Sequence, residues 1–148
     1  MQISSPAFAS EAHIPREYTC QGRDVNPALK ISDVPAGTAS LVLIVDDPDA
    51  PVGTWVHWVV FNIPPNTSAI AENSVPGTLG HNNFDRNAWG GPCPPEGTGV
   101  HRYYFRLYAL DSSLELPEGA TRAQVDQARE GHTLAEAQTM GRYIKTKP

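Results

Sequence analysis

The hydrophobic pattern along the chain predicts short strands separated by stiff turns. Leu41-Val42-Leu43-Ile44-Val45 is an unbroken apolar run rich in β-branched residues, which reads as a strand covered on both faces. Residues 55–63 are strand-like too, and regular alternation would put Trp55, His57, Val59, Phe61 and Ile63 on one face. From His101 the alternation is plain: His101, Tyr103, Phe105, Leu107 and Ala109 share one face, and Arg102, Tyr104, Arg106 and Tyr108 the other. Weaker strand signals lie at 3–8, 18–20 and 28–32, and residues 68–88 read as mostly loop. Helical signals come late. Thr121-Arg122-Ala123-Gln124 fits a capping box with Gly131 placed as a stop, and Thr133-Leu134-Ala135-Glu136 is expected to start a second helical turn. Residues 138–144 are expected to close as a strand and 145–148 to fray. The pattern is that of a mainly all-β sandwich or barrel with one or two short helices near the C-terminus.

Composition sharpens this. With 14 Pro and 12 Gly in 148 residues, turns are frequent, and residues 1–148 are expected to form a single domain. A net charge of −5 argues against a general nucleic-acid or anionic-membrane binder. No apolar run approaches membrane-spanning length and no basic-then-apolar leader opens the chain, so a cytoplasmic location is the expectation. In that compartment Cys20 and Cys93 are expected as free thiols. Asn66-Thr67-Ser68, though a glycosylation sequon by pattern, reads as a loop.

Candidate chemistry gathers around residues 90–105, a Pro- and Gly-dense loop that runs into an aromatic strand. Asp47, His57 and His101, with Tyr103, are polar groups at or near the ends of apolar strands, beside two Pro-rich loops, and are expected to converge on one cavity. Two imidazoles able to donate from both nitrogens would suit a phosphate or carboxylate, and a neighbouring carboxylate would orient them. The bland alternative is a buried His–Asp network that only rigidifies a sandwich. A hydrolase is less well supported, since no Gly-x-Ser-x-Gly elbow is present. Cys93 paired with His101 as a thiolate lacks a helix N-terminus or oxyanion donors, because Pro92 and Pro94 have no N–H. The histidines show no metal-ligand spacing, and neither a metal nor a cofactor is expected.

Taken together, Ser5-Pro6-Ala7-Phe8, Tyr18-Thr19-Cys20-x-Gly22, Asp46-Asp47-Pro48-Asp49-Ala50-Pro51, Trp55-x-His57-Trp58, Gly91-Pro92-Cys93-Pro94-Pro95 and His101-Arg102-Tyr103 resemble the phosphatidylethanolamine-binding protein family. The resemblance is to its bacterial and archaeal, Raf kinase inhibitor-like branch, and covers nearly the whole chain. It implies a Greek-key β-sandwich of two antiparallel sheets and a small anion-binding pocket lined by Asp47, His57, His101 and Tyr103, with Pro51, Trp55, Gly91, Pro94 and Pro95 as walls. It implies a non-enzymatic protein that binds phosphoryl groups, lipid head groups among them, or small carboxylates. The alternative it carries is an inhibitor of a protein kinase or serine protease, and an Asp/His-dependent hydrolase ranks last. A homodimer is the assembly this branch suggests. Ala88-Trp89, Asp85 and the loop 96–100 depart from the usual bacterial pattern and are expected on the pocket rim. A cis Ala50-Pro51 bond would aim Asp47 inward. The same segments are expected to bring Cys20 and Cys93 close, with their bonding left open by the sequence.

Overall fold

The apolar run is the middle of the larger of two antiparallel sheets in this computed structural model, which describes residues 1–145. That strand, β3 (Ser40–Asp47), is buried throughout because both of its faces are covered. To name its neighbours, the remaining strands are β1 (Gln2–Ser4), β2 (Leu29–Ser32), β4 (Trp55–Ile63), β5 (Ala69–Ile70), β6 (Thr78–Leu79), β7 (His101–Leu110) and β8 (Thr133–Tyr143). The five-stranded sheet runs β6-β4-β3-β7-β8 and the three-stranded one β1-β2-β5. Between them lies the main core, where Leu41, Leu43, Val45, Phe105 and Leu107 meet Ile3, Leu29, Ile31 and Ile70. The outer face of the larger sheet carries a second core of Val42, Ile44, Val59 and Phe61, capped by Val125 of α1 (Arg122–Arg129), the single α-helix among the described residues. The capping box at Thr121 forms as its sequence predicts: the Gln124 N–H donates to the Thr121 hydroxyl at 3.2 Å, and the Thr121 N–H donates to Gln124 Oε1 at 2.9 Å.

Several expectations are corrected. Residues 133–136 do not begin a helical turn; they open β8, which pairs with β7 almost residue for residue, so tertiary pairing overrides local propensity. Residues 16–18, after Pro15, form one 3-10 turn, with the Thr19 N–H donating to Arg16 O at 3.1 Å, where a strand over 18–20 was expected. The first strand stops at Ser4, since the Ser5 hydroxyl turns to Ala28 O at 2.6 Å and Pro6 has no donor. Every described peptide bond is trans, Ala50-Pro51 included, so Asp47 is aimed by its strand rather than by a cis proline. Of the expected tail, residues 146–148 lie outside the described residues.

The largest correction concerns β4. Its pairing slips twice: Val45 faces Trp58 but Asp46 faces Val56, and Leu43 faces Val60 but Leu41 faces Ile63. Each slip is a β-bulge, an extra residue that resets which face the side chains take. The second bulge includes Asn62, whose φ of 52° is left-handed. Consequently Trp58, Val60 and Ile63 enter the main core, while Val56, Val59 and Phe61 enter the outer one. The predicted single face of Trp55, His57, Val59, Phe61 and Ile63 does not exist. The first bulge frees His57 from the simple alternation.

On the outer face of β3, Asp46 is 1% exposed and takes a bidentate grip from Arg106, at 2.9 and 3.1 Å, plus the Arg122 guanidinium of α1 at 2.7 Å. One buried carboxylate thus ties helix to sheet.

Candidate functional site

The C-terminal end of β3 and the N-terminal ends of β4 and β7 meet at one end of the sandwich. Asp47 pairs in register with Trp55, and its neighbour Asp46 pairs with Tyr104, which brings Asp47 level with Tyr103 on the core-facing side. Here a cavity of about 310 Å³ opens. Eight of the nine residues expected at the site line it, namely Asp47, Pro51, Trp55, His57, Pro94, Pro95, His101 and Tyr103. Gly91 does not. Its N–H donates to Asp24 Oδ1 at 2.8 Å, and a Cβ there would collide with Tyr18 O and Asp24, so the glycine permits close approach behind the wall.

Asp47, 3% exposed, accepts the Asp49 N–H on Oδ1 at 2.8 Å and holds His101 Nδ1 on Oδ2 at 2.6 Å. The other ring nitrogen of His101 lies 2.9 Å from the Thr98 hydroxyl, which donates to Pro95 O at 2.6 Å. Both nitrogens of His101 are therefore engaged. Asp49 in turn takes the backbone N–H and the guanidinium of Arg102, at 2.8–2.9 Å, and this pair holds its carboxyl below the usual carboxylate range. The Arg102 cation is therefore already neutralised.

His57 is 3% exposed, and Nδ1 sits 2.6 Å from Gly90 O. A carbonyl only accepts, so Nδ1 carries the proton and Nε2 presents a lone pair. Burial lowers the pKa of this ring below the ordinary histidine value, with the Gly90 carbonyl and Asp47 opposing only in part. The expectation that both histidines donate to an anion is thus revised: His101 is occupied, and neutral His57 accepts. The buried Trp55 Nε1–H has no protein partner, and the Tyr103 O–H closes no full hydrogen bond, its neighbour being the Asp47 carboxylate. Burial, then Asp47, pushes the Tyr103 phenol well above its ordinary pKa, so it stays a donor.

Sequence reasoning missed Phe84, whose ring meets Trp55 at 5.6 Å and His57 at 5.2 Å, both edge-on. The loop signal was there, in Asn82: its side chain donates to His57 O and Ala88 O and accepts from Phe84 N and Arg86 N. Asp85, at φ 64°, belongs to this loop, and His81 bridges Asp85 and Asn87 with 2.8 Å contacts from Nε2 and Nδ1. Two oxygens facing both nitrogens favour imidazolium and raise its pKa above 6.5. The bridge is complete below pH 6.5 and is lost as pH rises through the raised value. An NMR titration is expected to place His81 above a histidine in the unfolded chain; an equal or lower midpoint would refute the bridge. Trp89, expected on the rim, is 8% exposed and packs in the main core against Trp58 and Phe105.

Cys20 and Cys93 are not free. They form a disulfide across 73 positions with Cα atoms 5.4 Å apart, which removes the thiolate that a Cys93–His101 hydrolase needs. Among the described residues no cluster of His, Cys, Asp and Glu is arranged for a metal, and no helix is long and apolar enough to cross a membrane.

Comparison with known proteins agrees with the fold. A family model described as phosphatidylethanolamine-binding protein matches residues 4–144. The UPF0098 protein of Aquifex aeolicus (strain VF5) is 47% identical over 150 residues, covering 97% of this chain and 88% of that protein. A phosphatidylethanolamine-binding protein homologue from Chlamydia trachomatis, CT736, superposes with a TM-score of 0.94 at 43% identity, over 98% of this chain and 97% of its own. Escherichia coli YbcL, described as a new member of the mammalian PEBP family, does so at 0.90 and 27% identity over 98% of each chain. With a matched family model across almost all of its length, this chain belongs to the phosphatidylethanolamine-binding protein family.

Proposed function

We propose that the protein is a non-enzymatic binder of small phosphoryl or carboxylate groups. The observation that carries this reading is the Trp55 Nε1–H, a buried donor without a protein partner, together with the Tyr103 O–H, which closes no full hydrogen bond to its neighbour Asp47; both residues line a cavity otherwise walled by Pro51, Phe84, Pro94 and Pro95. An unpaired buried donor costs about 1–3 kcal/mol, and a ligand oxygen would relieve it. The cavity volume suits a small ligand. Nothing that lines it is an activated nucleophile: Asp47 is committed to His101 and Cys93 to Cys20.

The test is NMR of the Trp55 indole N–H and the His57 ring while inorganic phosphate or phosphoethanolamine is added. Saturable shifts at both are expected, with Trp55→Phe weakening phosphate about tenfold or more, the worth of one hydrogen bond to a charged group. Signals that ignore every anion would refute the reading and turn attention to protein partners.

A further inference from the structure

The cavity offers an uneven set of polar groups, and the unevenness is informative. Among the described residues no lysine or arginine lines it, and Arg102 nearby is bound to Asp49 by its backbone and guanidinium. His101 spends one nitrogen on Asp47 and the other on Thr98. What is left among the described residues is two donors, on Trp55 and Tyr103, and one acceptor, Nε2 of His57, while the Asp47 carboxylate is held by His101 and the Asp49 N–H. A dianion placed here would meet no free cation among the described residues, because His101 is already spent on Asp47, an arrangement that desolvation penalises heavily. It would also set its oxygens against the lone pair of His57. A singly charged oxyacid that keeps one O–H meets neither objection. Its oxygens accept from Trp55 and Tyr103 while its hydroxyl donates to His57.

Resting on the binding reading above, we infer that the cavity selects phosphate monoesters in their protonated, singly charged form, with His57 as the residue that recognises the P–OH proton. The Gly90 carbonyl is what makes His57 an acceptor, since it fixes the proton on Nδ1 at 2.6 Å. Burial of the ring, which disfavours its charged form, supports the same state.

The experiment compares methyl phosphate with methyl sulfate by calorimetry at pH 5 and pH 8. The two anions have nearly the same shape and, at pH 5, the same single charge; only the phosphate has an O–H. The titratable groups around His57 are Asp47 and, more weakly, Asp46 from β3 and Tyr103 from β7, with His101 on the same cavity, while the loops packed on it present Phe84 and the Gly90 and Gly91 backbone. Any titration of those groups acts on both ligands, so the difference between them isolates the ligand proton. Methyl phosphate is expected to bind at least about tenfold tighter than methyl sulfate at pH 5. It is expected to lose about 100-fold relative to the sulfate by pH 8, two units above a phosphate second pKa of about 6. His57→Phe, which keeps an aromatic ring and removes the acceptor, should abolish the discrimination; the wild-type comparison stands even if that variant fails to fold. Equal affinities at pH 5, or a phosphate affinity that rises with pH, would overturn proton selection and leave phosphoryl binding standing. Binding of neither anion at either pH would overturn the binding reading itself.

Discussion

Calorimetry of the reduced protein is expected to show a melting temperature roughly 8–16 °C below that of the oxidised one. The Cys20–Cys93 bond closes a loop of 73 positions, and the chain-entropy account of such a loop gives about 4 kcal/mol of stabilisation. For a chain of this size each kcal/mol moves the midpoint by about 2–4 °C. The site should register the loss as well. Cys93 lines the cavity between the wall residues Pro94 and Pro95 and the anchored Gly91, and the backbone beside the disulfide is pinned by the Cys20 N–H donating to Pro92 O at 3.1 Å. The double variant Cys20→Ala/Cys93→Ala should reproduce the shift without any reductant. A drop of less than about 2 °C in both preparations would show that packing alone holds the Pro-rich loop, well below what this loop length demands.

Asp46→Asn is expected to cost about 3 kcal/mol, roughly 6–12 °C in melting temperature, while leaving the cavity's ligand preference unchanged. Asp46 is nearly sealed, and its removal as a charge strands two guanidiniums, Arg106 and Arg122, whose side chains are 27% and 26% exposed. That partial exposure sets the estimate at the low end of the range for breaking a buried pair, because water can partly rehydrate the arginines. The carboxylate lies on the opposite face of β3 from Asp47, so stability and binding should separate: denaturant unfolding moves and phosphate titration does not. A variant that unfolds like the wild type would mean that α1 is held by its apolar contacts alone, chiefly Val125.

How far the sequence foretold the site depended on whether a strand keeps an uninterrupted alternation. In β3 and β7 it does, and Asp47, His101 and Tyr103 are readable as neighbours from the alternation alone. In β4 it does not. The bulges at its two ends are set by how it pairs with β3, which no local pattern in β4 records, so His57 was assigned to the right place by a face that turned out not to exist. The helix was legible because a capping box is local chemistry, whereas residues 133–136 became strand through pairing with a partner more than twenty positions away. The disulfide depends on two loops approaching over Gly91, and the roles of Phe84, Thr98 and the Gly90 carbonyl depend on loop conformations. Those are long-range outcomes.

The sheet order has a consequence for how the protein comes to be. Strands β3 and β4 can pair early as chain neighbours, and so can β7 and β8, but β3 and β7 are separated by more than fifty residues and carry the costliest loop closure in the larger sheet. The Asp47–His101 bond spans that seam, while Trp55 and His57 come from one hairpin and Tyr103 from the other. No species in which only the hairpins have formed can possess the cavity. A ligand held there engages the finished molecule alone, so its binding energy falls wholly on the native side of the folding equilibrium and makes the cavity a marker of completed folding.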